Sequence, residues 1–282
     1  MSGSTHVYLR PQTLAEALSA LASAPMTVLA GGTDFYAGRS SQAITESVLD
    51  ITAIPELSLV RNEGRQWRIG ATTTWTELIR AELPRQFRGL QTAARQVGGL
   101  QVQNAGTVAG NVCNASPAAD GVPAFLALDA QIEISSLSGV RILPVNEFVL
   151  GPRKTARRAD ELVTAILVPA RGQAQSSFLK LGHRRYLVIS IAMVSAVIDV
   201  DATGRIAYAG VAVGACSPVA IRLGALERKL VGLQVGAALS ALVRPEDLAA
   251  LSPIDDVRGS AEYRRDAALT LVKRAIEEAL HE

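Results

Sequence analysis

The stretch from Asn104 to Asp129, NAGTVAGNVCNASPAADGVPAFLALD, constrains this chain more than any other. Gly106, Gly110, Asn111, Asn114, Ser116 and Asp120 crowd a segment too small and polar to build core. The apolar run Pro123–Leu128 follows at once and reads as a buried helix. Glycine and asparagine at that density before a helix mark a backbone that turns sharply and leaves N–H groups free. Free N–H groups backed by the positive end of a helix dipole suit a phosphate.

A second glycine segment lies upstream. Thr13-Leu14-Ala15-Glu16 is a capping-box sequence, and Leu14, Leu18 and Leu21 follow at helical spacing, which predicts a helix over 14–24. Met26–Leu29 reads as a short strand running into Ala30-Gly31-Gly32-Thr33-Asp34. A plain tight turn also accounts for an isolated Gly-Gly pair. Taken together, the two glycine segments could clasp the two phosphates of a dinucleotide. The Rossmann spacing G-x-G-x-x-G is absent, as are a P-loop lysine and a nucleophile elbow. No paired histidine and carboxylate stands out for general base work. Residue by residue, this is an α+β chain with two candidate anion loops.

The remaining elements follow from pattern. Val48–Ile51 and Leu57–Val60 read as strands, and Arg61-Asn62-Glu63-Gly64 as a hairpin turn into Gln66–Ile69. Thr74-Trp75-Thr76-Glu77 is a second capping box. Pro84 opens a helix with Phe87, Leu90, Ala94 and Val97 on one face, stopped by Gly98 and Gly99. Ile132, Ile134, Val140 and Ile142 alternate around Ser138-Gly139, which predicts a hairpin. Leu162–Val168 is a strand closed by Pro169, and Ala170–Ser176 is a linker. Ser177–Leu181, Ile189–Val200 and Arg205–Gly214 are strands. Helices follow over 220–231 and 260–280, the latter burying Ala268, Leu271, Val272, Ala275, Ile276 and Ala279.

Composition serves mainly to exclude. At 282 residues the chain exceeds one compact core, so two or three subdomains are expected. No apolar run reaches the length of a membrane span, and Met1–Arg10 lacks a secretory signal's basic and apolar regions. A soluble cytosolic protein is expected. With 4% aromatic residues and no concentrated basic stripe, nucleic acid is not a predicted partner. Arg153, Lys154, Arg157 and Arg158 read as a solvated loop. Cys113 and Cys216 are too few for an all-cysteine cluster within this chain, and His6, His183 and His281 lack ligand spacing. A redox group here would be organic, or carried by another chain.

Several segments together resemble the flavin-binding medium subunit of the molybdenum hydroxylases, the xanthine dehydrogenase and carbon monoxide dehydrogenase family. They are Ala30–Asp34, Gly70-Ala71-Thr72-Thr73, Asn104–Asn111, Asn114–Asp120, Phe178–Arg185 and Pro253–Arg264, and they span nearly the whole chain in the family's order. The resemblance implies a vanillyl-alcohol-oxidase-type FAD-binding domain in two α+β subdomains, over 1–60 and 61–175. It further implies a C-terminal α+β domain, an antiparallel sheet with helices, over 176–282. It carries the FAD pyrophosphate to a first loop, Val28, Leu29, Ala30, Gly31, Gly32, Thr33, Asp34 and Phe35, and a second, Thr107, Val108, Ala109, Gly110 and Asn111. Ser116 belongs to the same cofactor-binding set. Asp120 matches the family's aspartate beside the sugar and ribityl portion; as a bare residue it also reads as a helix N-cap. Val163 and Lys180 match positions by the flavin ring or its chain, although a lysine there also reads as a strand-edge charge. Val97 matches a further lining position and reads equally as core.

One departure stands out: Val108-Ala109-Gly110 replaces the family's usual Ile-Gly-Gly, which adds a methyl group near the phosphates. The implied function is electron transfer through FAD. A large subunit would carry the molybdenum cofactor, a small one 2Fe-2S clusters, and the whole would assemble as a dimer of heterotrimers. No catalytic acid, base or metal ligand is expected on this chain. A self-contained flavin oxidoreductase and a flavin-free scaffold are the alternatives.

Overall fold

The computed structural model describes residues 6–39, 43–236 and 239–281. In chain order, β1 (Tyr8–Leu9), α1 (Leu14–Ser23), β2 (Thr27–Leu29) and β3 (Val48–Asp50) form the first unit. Its strands pair in parallel in the order β1-β3-β2. Thr13 caps α1 by accepting from the Glu16 amide, and Ala17, Leu18 and Leu21 pack on Leu49, Ile51, Ile54 and Leu57. The expected strand over 57–60 does not form. Pro55 sets the backbone for a 3-10 turn, Pro55–Leu57, that drives Leu57 into this core, and the strand β4 runs over Val60–Asn62 instead.

The middle of the chain folds as β5 (Gln66–Gly70), α2 (Trp75–Arg80), α3 (Arg88–Ala94), α4 (Leu100–Ala105), α5 (Val108–Asn114) and α6 (Gly121–Ala127). Then come β6 (Gln131–Ser136), β7 (Gly139–Pro144), α7 (Val145–Phe148), β8 (Val149–Gly151), β9 (Lys154–Thr155) and β10 (Leu162–Pro169). An antiparallel sheet β4-β5-β10-β6-β7 backs the helices, and β8 and β9 form a separate ribbon. The capping box at Thr74 and the 131–144 hairpin form as expected. The helix expected from Pro84 to Val97 is shorter. Pro84 precedes a 3-10 turn, α3 ends at Ala94, and Val97 lies beyond it, before Gly98 at φ +53°.

The last third is β11 (Gln175–Leu181), β12 (Ala192–Val200), β13 (Ile206–Gly214), β14 (Ile221–Arg222), α8 (Gly224–Leu230) and α9 (Ala261–His281). Its strands pair antiparallel in that order, and α9 covers one face with Ala268, Val272, Ala275, Ile276 and Ala279 buried. Residues 220–222, expected to be helical, are mostly drawn onto β13 as β14. The α+β expectation holds.

The opposite face of that sheet packs on α6, whose residues are all buried. Such a helix must be apolar all round, and GVPAFLA is. Gly210 lets β13 come close: a Cβ there would sit 2.1 Å from the Ala127 carbonyl oxygen. Tyr208 Oη donates to that carbonyl at 2.7 Å, with the Arg171 guanidinium 3.7 Å from its ring centroid. Phe125, with no exposed surface, fills the interior of this interface. Phe125→Ala should therefore destabilise the chain by about 3–5 kcal/mol, read as a lower urea midpoint. A loss within about 0.5 kcal/mol would show that α6 is not a core element.

Candidate functional site

A cavity of about 580 Å³ opens where the first unit meets α5 and the β8–β9 ribbon, a size typical of cofactor sites. Three walls line it. The first is the segment Val28 to Phe35, that is Val28, Leu29, Ala30, Gly31, Gly32, Thr33, Asp34 and Phe35. Beyond β2 this backbone is uncommitted: no backbone carbonyl among the described residues accepts an N–H from Gly31, Gly32, Thr33, Asp34 or Phe35. Gly32 turns it at φ +69°, where a side chain is strained. Gly31 sets the closest approach of the two glycine segments, because a Cβ there would lie 1.8 Å from the Ala105 carbonyl oxygen.

The second wall is α5. The segment expected to be a loop is the start of a helix: Thr107 is its N-cap, its hydroxyl accepting from the Gly110 amide at 3.0 Å. The Gly70–Thr73 motif fixes where that helix begins, since the Thr73 carbonyl accepts from the Val108 amide at 2.9 Å. Few amides remain to face the cavity, chiefly that of Ala109, which donates to no backbone carbonyl among the described residues. Thr107, Ala109, Gly110 and Asn111 line the cavity, whereas Val108 points into the core with no exposed surface. Asn111 Oδ1 is buried with no hydrogen-bond partner among the described residues. Ala109 occupies an ordinary helical position, where alanine is favoured over glycine. The departure from Ile-Gly-Gly does not distort the wall.

The third wall was read as solvated surface. Arg153, Thr155 and Arg157 line the cavity from β9 and its flanks, and Val163 lines it from β10. The register of β10 on β6 shifts between Val163 and Ala165, a bulge of the kind that re-aims side chains. Val97, Trp75 and Arg39 complete the lining. The basic residues were missed because charge and exposure alone do not tell a ribbon curling over a cleft from a solvated loop. The Gly151-Pro152 turn signal was the available clue.

Ser116, Asp120 and Lys180 do not line this cavity. Asp120 precedes α6 but its side chain caps nothing. It accepts from Lys180 Nζ at 2.7 Å and from Ser190 Oγ at 2.7 Å, and Lys180 also donates to the Gln96 carbonyl at 3.3 Å. The two charged side chains are only 8% and 5% exposed. Burial pushes the Asp120 carboxyl above the usual carboxylate range, against the pull of Lys180 and the bonds from Lys180 and Ser190. The Ser116 hydroxyl accepts from the Ala118 amide at 3.3 Å, in the turn between α5 and α6.

Comparison with known proteins gives this cleft its class. The family described as "FAD binding domain in molybdopterin dehydrogenase" matches residues 3–171, and "CO dehydrogenase flavoprotein C-terminal domain" matches 177–279. The xanthine dehydrogenase FAD-binding subunit of Escherichia coli O157:H7 is 31% identical over 97% of this chain and 95% of its own length. The nicotinate dehydrogenase FAD-subunit of Eubacterium barkeri is 32% identical, over 80% of this chain and 79% of its own. Among solved structures, carbon monoxide dehydrogenase from Hydrogenophaga pseudoflava superposes with a TM-score of 0.88 at 28% identity, covering 99% of this chain and 98% of that one. This chain therefore belongs to the family of FAD-binding subunits of the molybdopterin dehydrogenases. Its cofactor is FAD, and it is a subunit of an oxidoreductase.

Removing one partner of the Asp120–Lys180 pair strands a buried charge. Lys180→Met should cost about 3–5 kcal/mol of stability in urea unfolding. The double variant Asp120→Asn, Lys180→Met should recover part of that loss. A double variant whose loss equals the sum of those of Asp120→Asn and Lys180→Met alone would show that the pair contributes no coupling.

Proposed function

We propose that the cleft takes FAD with its pyrophosphate between the amides of Gly31 to Phe35 and the helix start at Thr107, Ala109, Gly110 and Asn111. Val97 and Val163 would line the cofactor further along. Asp120 and Lys180 would fix the wall by the ribityl chain and ring from behind, with Val108 and Ser116 setting the backbone of the second segment. The observation that carries this reading is the run of uncommitted amides on the first wall, held against the base of α5 by Gly31. Backbone donors aimed into a cavity are what phosphates select. The orphaned Asn111 Oδ1 offers an acceptor to a bound donor.

When bound, FAD supplies the redox chemistry, accepting electrons from 2Fe-2S clusters on a small subunit and delivering them to a terminal acceptor. The protein's own residues bind, orient and shield it. Support for this division of labour over a self-contained oxidase comes from the lining, which holds no histidine and Asp34 as its carboxylate, itself 60% exposed. A proton-handling group in a closed site is not provided among the described residues.

The substrate would be oxidised on a large molybdenum-cofactor subunit. The relatives' names support this, since xanthine, nicotinate and carbon monoxide dehydrogenases share this type of subunit. The assembly would be a cytoplasmic dimer of heterotrimers. Among the described residues no helix is long and apolar enough to cross a membrane. We place the domain limits at 1–60, 61–175 and 176–282; the apolar core crosses them, since Leu162 packs with the first unit and Phe178, Met193, Val197 and Ala212 pack with the middle one.

The test is flavin content. The chain purified with whatever accompanies it should carry FAD bands together with iron–sulfur absorption and a large and a small partner. Gly32→Val and Gly110→Val should each release the flavin, because the first strains a left-handed backbone and the second drives a side chain into the Thr107 cap. A purified complex without flavin at any stoichiometry would overturn the reading.

A further inference from the structure

The uncommitted amides of the first wall are dipoles, whereas a pyrophosphate brings two full negative charges, and Asp34 adds another beside them. Neutralising that charge requires cations, and the cavity is lined by Arg39, Arg153 and Arg157. Arg39 is already spent. Its guanidinium binds the Glu46 carboxylate and the Phe35 carbonyl, and it lies 3.9 Å from the Phe35 ring centroid.

Arg157 differs. Its guanidinium donates only to the carbonyls of Arg158, at 3.0 Å, and Glu161, at 2.7 Å. The neighbouring Glu161 carboxylate is taken by Arg141 at 2.7 and 2.8 Å and by the Arg158 amide at 2.7 Å. Among the described residues, no carboxylate answers the Arg157 charge, and it is held part-buried by two backbone carbonyls. That charge reaches across the cavity to α5, where it works against the burial that pushes the Cys113 thiol up to about 11.

Arg153 carries an independent sign. It follows Pro152 at the turn between β8 and β9, with φ +59°, a corner that glycine or asparagine fills without strain. A side chain kept at a strained corner beside a cleft points to a use for that side chain. Its amide donates to the Ala115 carbonyl at 3.0 Å and its guanidinium to Asn114 Oδ1, so the turn is pinned to the end of α5. The guanidinium then reaches toward the first wall, 3.9 Å from Asp34, with both side chains more than half exposed. That pair is too open and too long to neutralise the arginine.

We propose that Arg157 and Arg153 form a cationic third wall that neutralises the FAD pyrophosphate from the side opposite the Gly31–Phe35 amides. Arg157 acts as the fixed counter-charge and Arg153 as the arm that spans the mouth between α5 and the first wall. The inference rests on the FAD reading above. Arginine suits the role because its planar fork binds phosphate oxygens in pairs.

The test is FAD affinity in the full-length chain freed of flavin, followed by flavin fluorescence at several ionic strengths. Arg157→Gln and Arg153→Gly should each raise the Kd for FAD about tenfold or more. Each should also flatten its dependence on salt, and Arg157→Lys and Arg153→Lys should restore much of the affinity. The melting temperature of the flavin-free Arg153→Gly protein should hold or rise, since glycine relieves the strained turn. If the wild type binds FAD and neither charge-removing variant changes its Kd or salt dependence, the third wall is not a phosphate site. Lysine variants whose salt dependence is as flat as that of the neutral ones would also overturn it, by showing that packing and not charge was lost. A wild type that takes up no FAD would sink the cofactor reading itself, and this inference with it.

Discussion

The packing of α6 between the flavin domain and the C-terminal sheet is the constraint on which the rest depends. Both ends of this helix are tied across the interface. At its start Asp120 is held by Lys180 of β11 and by Ser190; at its end the Ala127 carbonyl is taken by Tyr208 of β13. The buried ion pair is a poor source of net stability, because desolvation offsets most of its attraction. The pair fits this relative placement of the two domains, since parting its members inside the interface would leave a charge uncompensated. Arg222 repeats the device at the surface, binding Asp129 and Glu227 at 2.8 Å each.

From that frame the cleft follows. With α6 docked, α5 is carried along by the short connection through Ser116 and Asp120, and its N-terminus is set by the Thr73 carbonyl on the β5 side. The first wall then approaches so closely that only glycine fits at position 31. The site thus has one wall of free amides, one helix start and one ribbon bearing arginines. The first wall belongs to the first unit and the other two to the middle one, so the cavity exists only when these two are assembled. This division of roles suits a subunit that holds a cofactor and leaves the substrate chemistry to another chain.

Much of this could be read along the chain. The N-cap at Thr13, the capping box at Thr74, the hairpin over 131–144 and the apolar face of α9 depend on near neighbours, and they formed as expected; at Thr13 the box itself is incomplete, because Glu16 accepts from the Gln12 amide instead. The first glycine segment was recognisable for the same reason: a Gly-Gly pair directly after a strand permits a local left-handed turn, which Gly32 takes at φ +69°. The second was misjudged as a loop: glycine and asparagine weaken a helix, but the Thr107 cap and the packing of Val108 and Val112 outweigh that here. Leu57, Val97 and residues 220–222 were misplaced where Pro55, Gly98 and an open edge of β13 decided the backbone.

By itself, the sequence determined the local turns, caps and apolar faces, the class of fold, and through its ordered motifs the family and its flavin. These are short-range properties, in which a few adjacent side chains and backbone angles settle the outcome. Only the tertiary structure decided that Asp120 serves Lys180 and not its own helix, and that Gly31 is required by Ala105. It alone brought Arg153 and Arg157 to the cleft across from Asp34. Those facts join residues tens of positions apart, and such partners are chosen by how buried surfaces and charges meet once the units have docked.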